Sequence, residues 1–138
     1  MGDWYTIGLC LGLGLALGIA VSGILGANVF GAGVGALAGA ALGVVIGLAI
    51  GETEEAVATA LGVVIGSFSA AIAVRGALRR GATRFGTGAY LAALAVGIAL
   101  LAFVPVFGYV AVVAVPVLAA RMRGREAARF AGLRTLAK

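Results

Sequence analysis

Carboxylates are the first side chains to weigh for chemistry, and the sequence has five: Asp3, Glu52, Glu54, Glu55 and Glu126. Three of them gather in Gly51-Glu52-Thr53-Glu54-Glu55. A ring of such groups, contributed by several copies, selects cations at a pore mouth, and clustered oxygen donors can hold a divalent cation weakly. The same residues also make an ordinary helix start. Thr53 is then the N-cap, with Glu54 and Glu55 facing the positive end of the helix dipole. Capping rules alone account for the cluster, so the helix start is the preferred reading and a cation mouth at Glu52, Glu54 and Glu55 the second.

Other chemistry is sparse. The chain has no histidine, so serine or cysteine hydrolysis lacks a base, and no residue set offers plausible metal ligation. Cys10 is the sole cysteine and lies among apolar residues, which excludes a disulfide framework by count and leaves a small hydrophobe. No enzyme activity, cofactor or metal is expected. Four hydroxyls, Ser22, Thr59, Ser67 and Ser69, interrupt apolar stretches and are the candidate lining of a permeation path. Hydroxyls in membrane helices more often bond to backbone or across helices. Ser67 and Ser69 point to different faces of a helix, so at most one faces a common axis. No ionisable residue is expected mid-membrane, which argues against a proton or ion relay.

The cations fall in two blocks. Arg75, Arg79, Arg80 and Arg84 form a basic loop, and Arg121, Arg123, Arg125, Arg129, Arg134 and Lys138 a basic tail. Basic residues beside apolar spans mark the cytoplasmic face, and no nucleic-acid-binding motif accompanies them. No nucleic acid is therefore expected as a partner.

The elements that must position these groups are spans. Of the 138 residues, 63% are hydrophobic and 11% charged, against about 25% charged in soluble proteins. No charge occurs in 4–51, 56–74 or 85–120. A bilayer-crossing helix needs roughly 20 apolar residues, and backbone in hydrocarbon must be helical or closed into a barrel. The alternation of barrel strands is missing, so the spans are helices. The only early charge is Asp3, so the N-terminus is not expected to be a cleaved leader.

Gly26-Ala27-Asn28 divides the first stretch, giving spans at 5–26 and 30–51, and a third follows at 56–74. The stretch 85–120 would be about 54 Å long as one helix, against a hydrocarbon core of roughly 30 Å. Pro105-Val106-Phe107-Gly108-Tyr109 offers a turn, giving spans at 88–104 and 107–120. Two crossings place the basic loop and basic tail on one side, as the positive-inside rule requires. Five transmembrane helices are therefore favoured, with four as the alternative, the N-terminus outside and residues 121–138 cytoplasmic. Trp4, Tyr5, Phe107 and Tyr109 then share the outer interface. In the tail, Phe130, Leu133 and Ala137 recur at helical spacing, as an interfacial amphipathic helix would.

The most specific pattern is in the second span, where Gly31, Gly35, Gly39, Gly43, Gly47 and Gly51 recur at every fourth residue. Small-xxx-small spacing lets helix backbones approach closely in lipid. Each step carries the stripe about 40° around the helix. The second span is thus expected near the centre of the assembly, against more than one neighbour, with a partner helix unusually close at Gly39 and the tightest packing among the first three helices. Related stripes are Gly14, Gly18, Ser22 and Gly26 in the first span and Ala58, Gly62, Gly66 and Ala70 in the third. The fourth offers only Ala89, Ala93 and Gly97. Ala-Leu-Gly-Val-Val-Ile-Gly occurs at 41–47 and again at 60–66, which low complexity explains as well as duplication does.

The expected fold class is an all-α integral membrane protein, a polytopic helical bundle packed by a glycine zipper. The expected function is a small oligomeric channel or facilitative permease for an ion or small solute. The alternative is a non-transporting assembly or accessory subunit. Partners are the lipid bilayer and further copies or another membrane protein. Abundant arginine and a single lysine point to a prokaryotic plasma membrane.

Overall fold

The computed structural model describes residues 3–104 and 106–134, with side chains described as far as Arg123 apart from Pro105. The proline of the expected turn, and the tail residues Thr135 to Lys138, lie outside the described residues. Five helices form: α1 (Asp3–Leu25), α2 (Val29–Ile50), α3 (Thr53–Arg79), α4 (Arg84–Leu101) and α5 (Phe107–Arg134). Four of them, α1 to α4, are long and apolar enough to cross a membrane. The fifth runs without a break from uncharged residues into the basic segment and carries Pro116 within it.

Local chemistry sets the ends. Asn28 caps α2, its side-chain oxygen accepting from the Gly31 N–H at 2.6 Å. Thr83 caps α4 in the same way, accepting from the Gly86 N–H at 3.1 Å. Helix α3 ends at Gly81, with φ of 85°. The Gly81 N–H bonds to the Leu78 carbonyl at 3.1 Å and the Ala82 N–H to the Ala77 carbonyl at 3.2 Å. This is the paired closure that a left-handed glycine makes possible. The basic loop expected from the sequence is mostly helix, because Arg75 and Arg79 belong to α3 and Arg84 opens α4.

The centre of the bundle is the α1–α3 pair, each of which packs against all four other helices. About 56% of the most apolar window of α1 and of α3 is buried, against 22% for α2 and 17% for α4. The expectation of a central second span is therefore corrected. Only Gly35, Gly39, Gly43 and Gly47 of α2 are buried. Gly31 faces its own turn, where a β-carbon would meet the Leu25 carbonyl, and Gly51 is the exposed C-cap beside the Glu55 side chain. The expectation of two neighbours for α2 holds. Gly35 lies against Val21 and Leu25 of α1, whereas Gly43 and Gly47 lie against Thr59, Val63 and Ala56 of α3. A stripe that rotates about 40° per step passes from one partner to the next in this way.

The most extensive close approach is between α1 and α3, which run parallel because α2 returns the chain between them. A β-carbon at Gly14 would collide with the Thr59 carbonyl, and one at Gly18 with the Val63 carbonyl. On the facing helix, Gly62 and Gly66 stand against the carbonyls of Leu11 and Leu15. These obstacles are backbone and have no rotamer to yield. At Gly39 the only obstacle is a methyl of Val63, at 2.9 Å. Gly39 is therefore approached less closely than the α1–α3 glycines, because it faces a side chain rather than a second backbone.

Large side chains fill the layer around this seam: Leu15, Ile19, Val63, Val74, Leu91 and Ile98 are buried. Helix α5 joins through Gly108, where a β-carbon would strike the Gly8 carbonyl.

Three alanine substitutions should separate these environments. Gly62→Ala forces carbon into a carbonyl and should lower stability by about 3 kcal/mol or more, the upper end for overpacking. Gly39→Ala displaces one methyl and should lower it by about 1 kcal/mol or less. Gly97→Ala, with nothing within 4 Å of the new carbon, should be neutral or slightly stabilising through helix propensity. Thermal melting of the three variants in detergent checks the order.

Candidate functional site

The polar groups of the chain fall in three places: one end of the bundle, its interior, and the opposite end.

At the first end the α1 N-terminus meets the α2–α3 and α4–α5 connections. The Tyr5 hydroxyl donates to the Phe103 carbonyl at 3.0 Å, and the Tyr109 hydroxyl donates to the Trp4 carbonyl at 2.6 Å. Trp4 and Tyr5 meet edge to face, with ring centroids 6.5 Å apart. The acidic cluster lies at this end too. Helix α3 starts one residue earlier than the sequence indicates, with Glu52 rather than Thr53 at the N-cap. The reason is the residue at the third helical position. Glu55 reaches back to accept from the Glu52 N–H at 2.9 Å, a bond that a Thr53 cap would forgo.

Glu55 also accepts from the Thr6 hydroxyl of α1 at 3.0 Å, so both carboxylate oxygens are engaged. Glu52 and Glu54 are exposed. Among the described residues, no three His, Cys, Asp or Glu side chains converge as a metal group would require. Glu55 precedes the uncharged stretch, and the Glu52 backbone N–H chiefly holds its carboxyl below the ordinary carboxylate value. Its own backbone and the Thr6 hydroxyl act in the same direction, and partial desolvation opposes them.

In the interior, all four hydroxyls singled out in the sequence are buried. Thr59 donates to the Glu55 carbonyl at 2.7 Å, one turn back on its own helix, and Ser69 to the Ile65 carbonyl at 2.8 Å. Ser67 donates across the α1–α3 seam to the Gly18 carbonyl at 3.4 Å. Ser22 is fully buried, and its hydroxyl has no partner among the described residues. Ser67 and Ser69 point to different faces, as expected, yet both are covered because α3 has neighbours on several sides. The four do not form one column.

At the opposite end, the last turns of α3 and the middle of α5 border a partly open cavity of about 120 Å³. Arg75, Arg79 and Arg80 line it from α3 and its cap, and Arg123 from α5. Ile72, Ala73, Gly76, Ala119 and Met122 complete the wall. Members of the two basic blocks, separated in sequence by α4 and the first part of α5, thus meet at one end of the bundle. The readable signal was the spacing of Arg75 and Arg79, four apart and hence on one helix face.

Comparison with protein-family models, with curated proteins and with solved structures finds no match to this chain.

The Glu55 contacts give a pH dependence with a defined sign. A carboxyl held low in the folded state contributes stability that is present above its unfolded pKa and is lost as pH falls through the folded one. Wild type should therefore melt higher than Glu55→Gln at neutral pH, and the difference should shrink below about pH 4.3. Glu54→Gln, at an exposed position, should show little difference at either pH. Melting curves in detergent across pH 3 to 7 check this.

Proposed function

We propose that the chain is a five-span integral membrane protein of a prokaryotic plasma membrane that works as a compact, non-enzymatic and non-conducting helical module, an assembly or accessory subunit. The observation that carries this reading is how the interior polar groups are used. Three of the four hydroxyls donate to backbone carbonyls, and the seam around them is closed by backbone contact at Gly14, Gly18, Gly62 and Gly66. A path through a single copy would need polar groups free to replace water around a solute. The glycine stripes act as the packing device in this reading. Their fixed register suits a part that holds shape rather than one that opens.

The fifth crossing is 107–120, with about 21 Å of uncharged helix. It is short for a hydrocarbon core of roughly 30 Å, and Arg121 and Arg123 extend it by reaching their guanidinium groups toward the headgroups. The N-terminus lies outside with the aromatic cluster, and both basic blocks lie in the cytoplasm. Residues 121–138 form a basic tail on the anionic leaflet. This sidedness is supported by the joint position of Arg79, Arg80 and Arg123 at one end of the bundle.

The second reading, an oligomeric channel or permease, draws on the exposed carboxylates of Glu52 and Glu54 at the other end. Copies arranged around an axis could present them as a cation-selecting ring.

Two measurements test the proposal. Purified protein in liposomes should give ion and small-solute flux no higher than protein-free vesicles. Cation flux abolished by Glu52→Gln with Glu54→Gln would establish the channel instead. For topology, single cysteines at Thr53, Thr83 and Thr135 in a Cys10→Ser background should react differently with an impermeant thiol reagent in right-side-out vesicles. Thr53→Cys should label and the other two should not. Labelling of only one of Thr83→Cys and Thr135→Cys would leave four crossings.

A further inference from the structure

The cavity at the basic end holds more positive charge than helix termination requires. A helix C-terminus is served by a cation in its last turn, and Arg79 fills that place on α3. Arg75 stands a turn earlier, Arg80 at the cap and Arg123 on another helix, yet all three border the same space of about 120 Å³. Among the described residues no acidic side chain lines it. Like charges gathered around one space repel, and a common anion would hold Arg75, Arg79 and Arg123 there. Arg75 adds an independent sign: its Nε is buried and has no hydrogen-bond partner among the described residues. A buried donor on a charged group is costly to leave unpaired, which points to an acceptor that completes the site.

The geometry of the donors selects the acceptor. Guanidinium groups present paired N–H donors in a rigid fork that matches the oxygens of carboxylate and phosphate. Several forks approaching from two helices suit a tetrahedral group with three or four oxygens better than a planar one with two. Ala119 and Met122 supply an apolar α5 wall beside the charges. A polar head with an apolar continuation fits such a mixed lining, and basic pockets between membrane helices take lipid headgroups.

We infer that Arg75, Arg79, Arg80 and Arg123 form a binding site for a phosphate group, carried by an anionic lipid or free in solution. The lipid source rests on the reading that this end of the bundle lies in a leaflet; the phosphate chemistry does not.

The test uses the full chain purified in detergent, titrated separately with phosphatidylglycerol, inorganic phosphate and uncharged diacylglycerol. Lipid adducts are read by native mass spectrometry and stabilisation by melting. Wild type should retain phosphatidylglycerol or phosphate and should not retain diacylglycerol. Arg75→Gln and Arg123→Gln should each weaken retention by about tenfold or more, as loss of a charged hydrogen bond would. Arg84→Gln removes the same charge outside the cavity lining and should stay within about twofold. Arg123 is exposed, so its variant tests the site even if Arg75→Gln fails to fold. Competition by inorganic phosphate assigns the free anion as the source, and its failure to compete assigns the lipid. Equal weakening by all three variants, or retention of diacylglycerol as strong as that of phosphatidylglycerol, would overturn the site. Release of the protein from membranes by alkaline carbonate would instead remove the membrane reading, leaving the inorganic phosphate titration to decide the site alone.

Discussion

Where Gly14 and Gly18 of α1 meet Gly62 and Gly66 of α3, two backbones touch without a β-carbon between them. In water such a contact would be a small addition to hydrophobic burial. Between helices already surrounded by apolar chains, burial supplies little, and close packing with its dispersion and dipole contacts must do the work. The rest of the bundle takes its place from this seam. Helix α2 lies in the angle beside it and touches both partners, and α4 and α5 cover the remaining sides of α1. The Ser67 hydroxyl bridges the seam only because the backbones are near enough for it to reach the Gly18 carbonyl.

Close packing of this kind leaves little freedom for polar groups. A hydroxyl between touching backbones finds a carbonyl before it finds water, as Thr59, Ser67 and Ser69 do. Ser22 is the exception, its buried hydroxyl having no partner among the described residues. Charge is handled in the opposite way. It is driven to the two ends, where Glu55 ties α1 to the α2–α3 turn, and where arginines from α3 and α5 crowd one cavity.

The helices themselves were legible from uncharged length and from turn chemistry: Asn28 and Thr83 cap as their types and positions suggest. The order of packing was not. In a soluble helix the apolar face names the buried side, but a membrane helix is apolar all round, so only small-residue spacing remains as a signal. The second span has the most regular spacing and is nevertheless peripheral, because its large residues, among them Leu37, Leu42 and Val45, face outward. The first span has a less regular stripe, but its glycines occupy several faces, and Cys10, Leu15 and Ile19 sit inside. Regularity marks a stripe that two neighbours can share, whereas a central helix needs small residues on several sides. The Glu52 cap was hidden for a different reason. Threonine is the commoner cap, and the decisive bond comes from Glu55, three residues beyond the cap itself.

The central position that α1 shares with α3 bears on how the chain comes to be made. Synthesis proceeds from the N-terminus, so in the proposed membrane setting α1 would reach the bilayer before any of its neighbours. Its partners arrive in turn, and the last are the farthest away: the Tyr109 hydroxyl that meets Trp4 is 105 residues downstream. Until α5 follows, the bare backbone at Gly8 and Gly12 has no partner from Ala102 or Gly108. One half of the central pair is thus the helix that stays incomplete longest during translation. A nascent chain halted after α3 would hold the central seam but present an open flank, with small residues exposed to any other helix passing in the membrane. Quality control of this protein would then hinge less on whether its segments insert than on whether its final helix returns in time to close that flank.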